Sequence, residues 1–127
     1  MPLTKGQLYT WAQILAGLGA DDTPPPFALH RGDEVVGFAL NRWQNPAAPE
    51  EVLVGYGEHR EEMADAFIQQ RSIVPVLIKE AREDARWRCF GNFQLRDWTD
   101  EATEKNKRVK PFDIPAIYKI LCLEEVP

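Results

Sequence analysis

The sequence predicts an α+β domain: a strongly curved mixed β-sheet or pseudo-barrel with two main helices. Three observations lead there. Strand-like apolar runs recur at 34–43, 52–54, 74–78, 86–98 and 114–123. Only Leu8 to Leu18 and Glu58 to Gln70 space their apolar residues as helices do. The pattern is neither the regular strand–helix alternation of a doubly wound sheet nor the even strand spacing of a sandwich. A length of 127 residues points to one domain, 1–127, with room for a real core.

In chain order, Thr10 can cap the first helix, and Trp11, Ile14, Leu15 and Leu18 fall on one face. Gly19 suits the left-handed residue that stops a helix. Asp21 to Pro26 is a loop, extended at its prolines. Phe27 to His30 reads as a short strand, followed by turn chemistry at Arg31-Gly32-Asp33. Glu34 to Trp43 is a strand, and Gly37 inside it signals a bulge or a close backbone approach. Asn45 to Pro49 (NPAAP) cannot continue a ladder, because two prolines remove donors and fix φ. It forms a rigid elbow.

Val52 to Val54 is a short strand ending in Gly55-Tyr56-Gly57, and Glu58 to Gln70 is a helix with acids at its N-terminal end. Met63, Phe67, Ala64 and Ile68 supply its buried stripe. Val74 to Ile78 is too continuously apolar for an exposed strand, so it belongs in the centre. Pro75 there implies a strand start or an unpaired position. Arg82 to Ala85 is a charged turn. Arg86 to Trp98 alternates with a phase change at Gly91, which is what a bulge produces. Thr99 to Lys107 is one or two exposed helical turns, or a loop. Ile114 to Leu123 is a final strand, buried rather than at an edge. The tally is five or six strands.

Composition excludes several classes. No window approaches 18 apolar residues, so no helical membrane span is expected, and the N-terminus lacks the apolar core of a signal peptide. A cytoplasmic location follows as the expectation. Cys89 and Cys122 lie in apolar runs without CxxC spacing and read as buried thiols. Two histidines, His30 and His59, without i+4 partners give no metal site, and no cofactor is expected. There is no GxSxG, P-loop or GxGxxG, and no nucleophile–base pair can be named, so the chain reads as non-enzymatic. Gly55-Tyr56-Gly57 before a helix superficially resembles a phosphate turn, but GxG alone is a weak signal and a strand-to-helix turn needing positive φ is sufficient.

The net charge of −5 argues mildly against nucleic acid, but its distribution is uneven. Glu50 to Asp65 holds six acids and one base, Lys79 to Arg96 five bases and three acids, and 105–110 four bases. One face is then basic although the whole is acidic; equally, these are two solvated surfaces of opposite sign. Trp43 beside the elbow, and Trp87 and Phe90 among Arg86 and Arg88, suit stacking on an unpaired or flipped base with phosphate contact. Alternation also allows Trp87 in the core with Arg86 and Arg88 on the solvent side. Asn41 and Asn45, bracketing Trp43, either read a base edge or cap a turn.

LNRWQNPAAPEEVLVGYG, the helix ending AFIQQ, VPVLIK and WRCFGNF together resemble a bacterial domain type. Its order is an NP-x-AP segment, an LVG turn, a helix ending near glutamine, a VPVFIK-like strand and a W-x-x-x-G-x-[YF] strand. Such domains occur beside restriction-type nuclease modules and are similar to the PUA, SRA and EVE pseudo-barrels. The resemblance covers Tyr9 to Trp98 and is most specific at 45–49 and 87–93. It implies nucleic-acid binding, with a modified or flipped base in a pocket, and DNA ranks ahead of RNA as the partner. Some of Asn41, Trp43, Asn45, Tyr56, Trp87 and Phe90 would supply the pocket lining. Lys79, Arg86, Arg88 and the 105–110 segment would meet phosphate. The missing nuclease module and the acidic total depart from that pattern. The alternative, from another class, is a small acidic protein-interaction module, an inhibitor or immunity-type partner, acting through the Glu58–Asp65 helix face.

Overall fold

A computed structural model describes residues 3–22, 27–112 and 116–127, with the side chains of 110–112 excepted. The expected strand start at Ile114 and the prolines at 24–26 lie outside the described residues. The elements are β1 (Leu8–Tyr9), α1 (Trp11–Leu18), β2 (Ala28–Arg31), β3 (Glu34–Asn41), β4 (Glu51–Gly55), α2 (Glu58–Gln70), β5 (Val74–Lys79), β6 (Trp87–Thr99), α3 (Ala102–Phe112) and β7 (Ile117–Val126). The strands form one mixed sheet in the order β2-β3-β5-β6-β7-β4, with β1 added to the start of β6. Only β3 and β5 run parallel. The sheet curls through 220° into a half-barrel, the expected α+β arrangement.

The central strand shows why its sequence is apolar throughout. Val74, Val76 and Ile78 of β5 join the inner core with Phe38, Phe67, Phe93 and Leu121. Leu77 points the other way, into an outer core with Ile14, Leu29 and Cys89 beneath α1. Both faces of β5 are covered, so neither parity tolerates a polar side chain.

The two flagged glycines have distinct jobs. A Cβ on Gly37 would lie 2.9 Å from Leu18 Cδ1 and 3.3 Å from the Pro75 carbonyl oxygen, so α1 and β5 close in where a side chain would stand. Gly91, at φ 108°, sits at the expected bulge. Between the Pro75–Asn92 and Leu77–Cys89 pairs, β6 advances one residue more than β5. Trp87 and Cys89 therefore pack in the outer core, whereas Phe90 and Phe93 pack in the inner one.

Helix α2 closes the half-barrel. Acids at Glu58 and Glu61 favour its start, and Glu61 also accepts the Gly57 N–H at 3.0 Å. Its buried stripe is Met63, Ala64 and Phe67, with the Phe67 ring edge-on to Phe38 at 4.8 Å. Two polar ties fix it across the sheet. The Gln70 amide accepts the Val35 N–H at 3.0 Å and donates to the Val35 carbonyl at 2.7 Å. Asp65 accepts Tyr118 Oη at 3.0 Å and Lys119 Nζ at 2.7 Å. One tie reaches β3 and the other β7.

Three expectations are corrected. Leu8 and Tyr9 belong to a strand paired with Arg88 and Trp87, and the helix starts only at Trp11 after the Thr10–Gln13 capping box. The segment after Thr99 is an eleven-residue helix, α3, rather than a turn or two. It is held by a fork from Arg108 onto Glu51 (2.9 and 2.7 Å) and by Val109 against Ile117 and Ile120. The described residues thus carry seven strands and three helices. Final strand β7 is internal, as expected, and β2 and β4 are the edges.

Urea denaturation checks the role of α2. Phe67→Ala is expected to cost about 3–5 kcal/mol through the cavity it leaves. Gln70→Ala leaves both Val35 backbone groups unmatched and should cost about 1–3 kcal/mol, whereas exposed Gln69→Ala should cost almost nothing.

Candidate functional site

Strand register decides which predicted residues meet. Asn41 at the end of β3 lies opposite Lys79 at the end of β5, and Ile78 lies opposite Arg88 near the start of β6. One residue further, Lys79 Nζ sits 4.9 Å from the centroid of the Trp87 ring. Beside this row, Trp43 lies in the turn after β3, and the guanidinium of Arg82, from the loop between β5 and β6, sits 4.9 Å from its ring centroid. The ends of β3 and β5 and the start of β6 therefore form one rim of the half-barrel. Trp43 and Trp87 are both half-buried there, and Arg86 is exposed.

The predicted residues do not converge on one pocket. Trp87 and Lys79 lie on the outer face, where Trp87 also packs against Trp11 at 5.4 Å. Phe90 turns to the inner face. Arg88 donates to the Gly6 carbonyl at 2.7 Å, tying β6 to the N-terminal segment. Tyr56 is 53% exposed but lies at the opposite rim, beyond the end of β4, near Tyr118 and Lys105.

The asparagines hold turns. Asn41 Oδ1 accepts the Gln44 N–H at 2.7 Å, and its Nδ2 donates to Gln44 Oε1 at 2.9 Å. Asn45 is 5% exposed, and its Oδ1 accepts the Leu53 N–H at 2.8 Å. That bond pins the proline elbow to β4, while Ala48 packs into the inner core.

Sequence reasoning missed Arg42. Its guanidinium forms a fork onto Glu80 (3.1 and 2.9 Å), donates to the Ala48 carbonyl and lies 5.6 Å from the Phe90 centroid. The hydrogen bond from Arg42 holds the Glu80 carboxyl below its usual range, and the same bond raises the Arg42 value. A lone base in a turn and a lone acid one residue past another strand were the only signals. Their pairing becomes visible once β3 and β5 are known to run parallel.

A groove of about 420 Å³ opens on this rim, with Arg86 and Arg88 facing Glu80, Glu83 and Asp84. Its charge is mixed rather than uniformly basic. The acidic face of α2 is smaller than its sequence suggests, because Glu61 caps Gly57 and Asp65 binds Tyr118 and Lys119. Glu58 and Glu62 remain exposed. Among the described residues, no group of three or more His, Cys, Asp or Glu is placed to hold a metal ion. Both cysteines are free: Cys89 is buried, Cys122 is half-buried, and burial pushes both thiols above their usual value. No helix among these residues is long and apolar enough to cross a membrane.

The geometry defines a curled α+β domain whose strand-end rim pairs cations with aromatic rings. No family model, curated protein or solved structure matches the chain.

The Arg42–Glu80 fork gives a pH prediction. The Glu80 value is depressed on folding, so its contribution is present above the ordinary 4.5 and disappears as pH falls through the lower folded value. Glu80→Gln should therefore be less stable than the parent at neutral pH, by under about 1 kcal/mol because the pair is partly exposed. Urea midpoints of the two proteins should converge in acid below the ordinary carboxylate value. A gap that persists unchanged there would contradict the assignment.

Proposed function

We propose that this chain is a non-enzymatic nucleic-acid-binding domain of the PUA, SRA and EVE pseudo-barrel kind. It acts on DNA rather than RNA and takes an unpaired or flipped base, including a modified one, at the rim formed by β3, β5 and β6. The observation that carries this reading is the pair of half-buried tryptophans on that rim. Trp43 and Trp87 each have a cation 4.9 Å from the ring centroid. A base presents a π-face to such a ring whatever its sequence, and stacking contributes about 1–3 kcal/mol per base. The neighbouring Arg82, Lys79 and Arg86 are the groups that would reach phosphate.

The curled mixed sheet supports the pseudo-barrel kinship at the level of architecture only, and fold likeness does not carry function by itself. The acidic total of −5 and the mixed groove imply few phosphate contacts and modest affinity. Trp43 is the better probe of the two tryptophans. Trp87 also supports the outer core against Trp11, so its loss would confound binding with folding.

Fluorescence anisotropy of labelled single-stranded and duplex oligonucleotides at low salt tests the reading. Binding should weaken with salt, with a logarithmic slope near −0.7 per phosphate contact on single strands. Trp43→Ala should cost about 1–3 kcal/mol of binding. The Arg82→Ala, Arg86→Ala double variant should flatten the salt slope. An absence of any shift with modified or unmodified strands at low salt would sink the proposal.

A further inference from the structure

A second cleft lies at the opposite rim, between the end of α2 and the far half of β6. Its volume is about 350 Å³, within the small-ligand range of about 300–1,000 Å³. Ile68 and Leu95 give it an apolar floor, and Arg71, Arg96, Asp97 and Trp98 line it. Trp98 is 38% exposed, with Lys119 Nζ 4.5 Å from its ring centroid.

Two separate backbone irregularities deliver the arginines to this cleft. Arg71 ends α2 in the left-handed conformation, at φ 52°, the only non-glycine residue with positive φ among the described residues. Glycine or asparagine is the usual choice at such a position, because a Cβ is strained there. Arg96 is the extra residue of a bulge: Leu95 pairs with Leu123 and Asp97 with Cys122, leaving Arg96 without an opposite. Bulges re-aim side chains. Among the described residues, neither guanidinium makes a hydrogen bond or an ion pair. The left-handed turn at Arg71 is the C-cap of α2, its backbone N–H donating to the Phe67 carbonyl, so what sets the cleft apart is two guanidiniums brought to one place with no bonded partner among the described residues.

We infer that this cleft binds a small aromatic phosphate, a nucleoside monophosphate by chemical class. The ring lies against Trp98, and the phosphate is held by Arg71 and Arg96, whose forked donors match phosphate oxygens. The Asp97 carboxylate, which already accepts the Trp98 N–H at 2.8 Å, disfavours a ligand charged over its whole length. It suits one whose neutral ring end carries N–H donors. This site does not rest on the reading given for Trp43 and Trp87.

Calorimetric titration of the full chain with 5′-AMP and 5′-GMP, alongside tryptophan fluorescence, tests it, with adenosine and inorganic phosphate as separate arms. The expected result is saturable binding of the monophosphates, about tenfold or more tighter than either part alone. Arg71→Gly and Arg96→Gln should each weaken it about tenfold. Trp98→Leu should remove the fluorescence change. Arg71→Gly should melt at or above the parent's temperature, because glycine relieves the left-handed strain while deleting the ligand contact. The inference is overturned by no saturable binding at millimolar nucleotide, by phosphate binding as tightly as the nucleotide, or by Arg71→Gly binding like the parent. Binding of oligonucleotides but not mononucleotides overturns it as well.

Discussion

A sheet curled only part of the way into a barrel has an inner face that it cannot bury alone. Helix α2 resolves this by packing Met63, Ala64 and Phe67 onto that face. The apolar contact is non-directional, so it does not by itself fix how the helix sits. Direction comes from Gln70 and Asp65. The Gln70 amide offers Val35 a donor and an acceptor, as a neighbouring strand would, beside the register shift between β2 and β3. Asp65 holds Tyr118 and Lys119 on the other flank. A helix tied to both flanks sets the curl, since neither flank can move without breaking a partly buried bond.

The rim follows from that curl and from the elbow. With β3 and β5 parallel, the connection from β3 to β5 must cross to β4, form α2 and return. The NPAAP elbow makes the first crossing, anchored by Asn45 on Leu53 and by Ala48 in the inner core. Arg42 locks it by reaching both the Ala48 carbonyl and Glu80 beyond the end of β5. These bonds hold three strand ends and the turn carrying Trp43 together. The side chains that hold the rim are therefore Arg42, Asn41 and Asn45. Trp43, Lys79, Arg82 and Arg86 take no part in those bonds.

Much of this was legible where the signal is local. The Thr10 cap, the Gly19 stop, the acidic start of α2, the apolar run of β5 and the phase change at Gly91 all express short-range rules, and the structure follows them. The apolar spacing of Leu8 and Tyr9 merges with that of Trp11 and so predicts helix, whereas pairing to β6 outweighs propensity. Helix α3 carries little apolar signal of its own, and its anchor, Arg108 on Glu51, spans 57 residues. How the candidate residues group in space was illegible for a different reason. Alternation tells which residues of one strand share a face, but not which faces of different strands coincide. That depends on register and bulges, and so Tyr56 fell at the far rim and Phe90 on the opposite face from Trp87.

The acidic total is a poor guide to what the surface offers, because charges are consumed unevenly. Arg42, Arg88 and Arg108 are bound into the scaffold by Glu80, the Gly6 carbonyl and Glu51. Arg71, Arg82, Arg86 and Arg96 make no side-chain hydrogen bond or ion pair among the described residues. They are not scattered. Arg82 and Arg86 belong to the rim that carries Trp43, and Arg71 and Arg96 line the cleft that carries Trp98. A solvated arginine needs no particular neighbour, whereas each structural one here holds a carboxylate or a backbone carbonyl. Unbonded arginines thus gather in pairs beside indole rings at both ends of the half-barrel, next to Trp43 on one rim and next to Trp98 on the other.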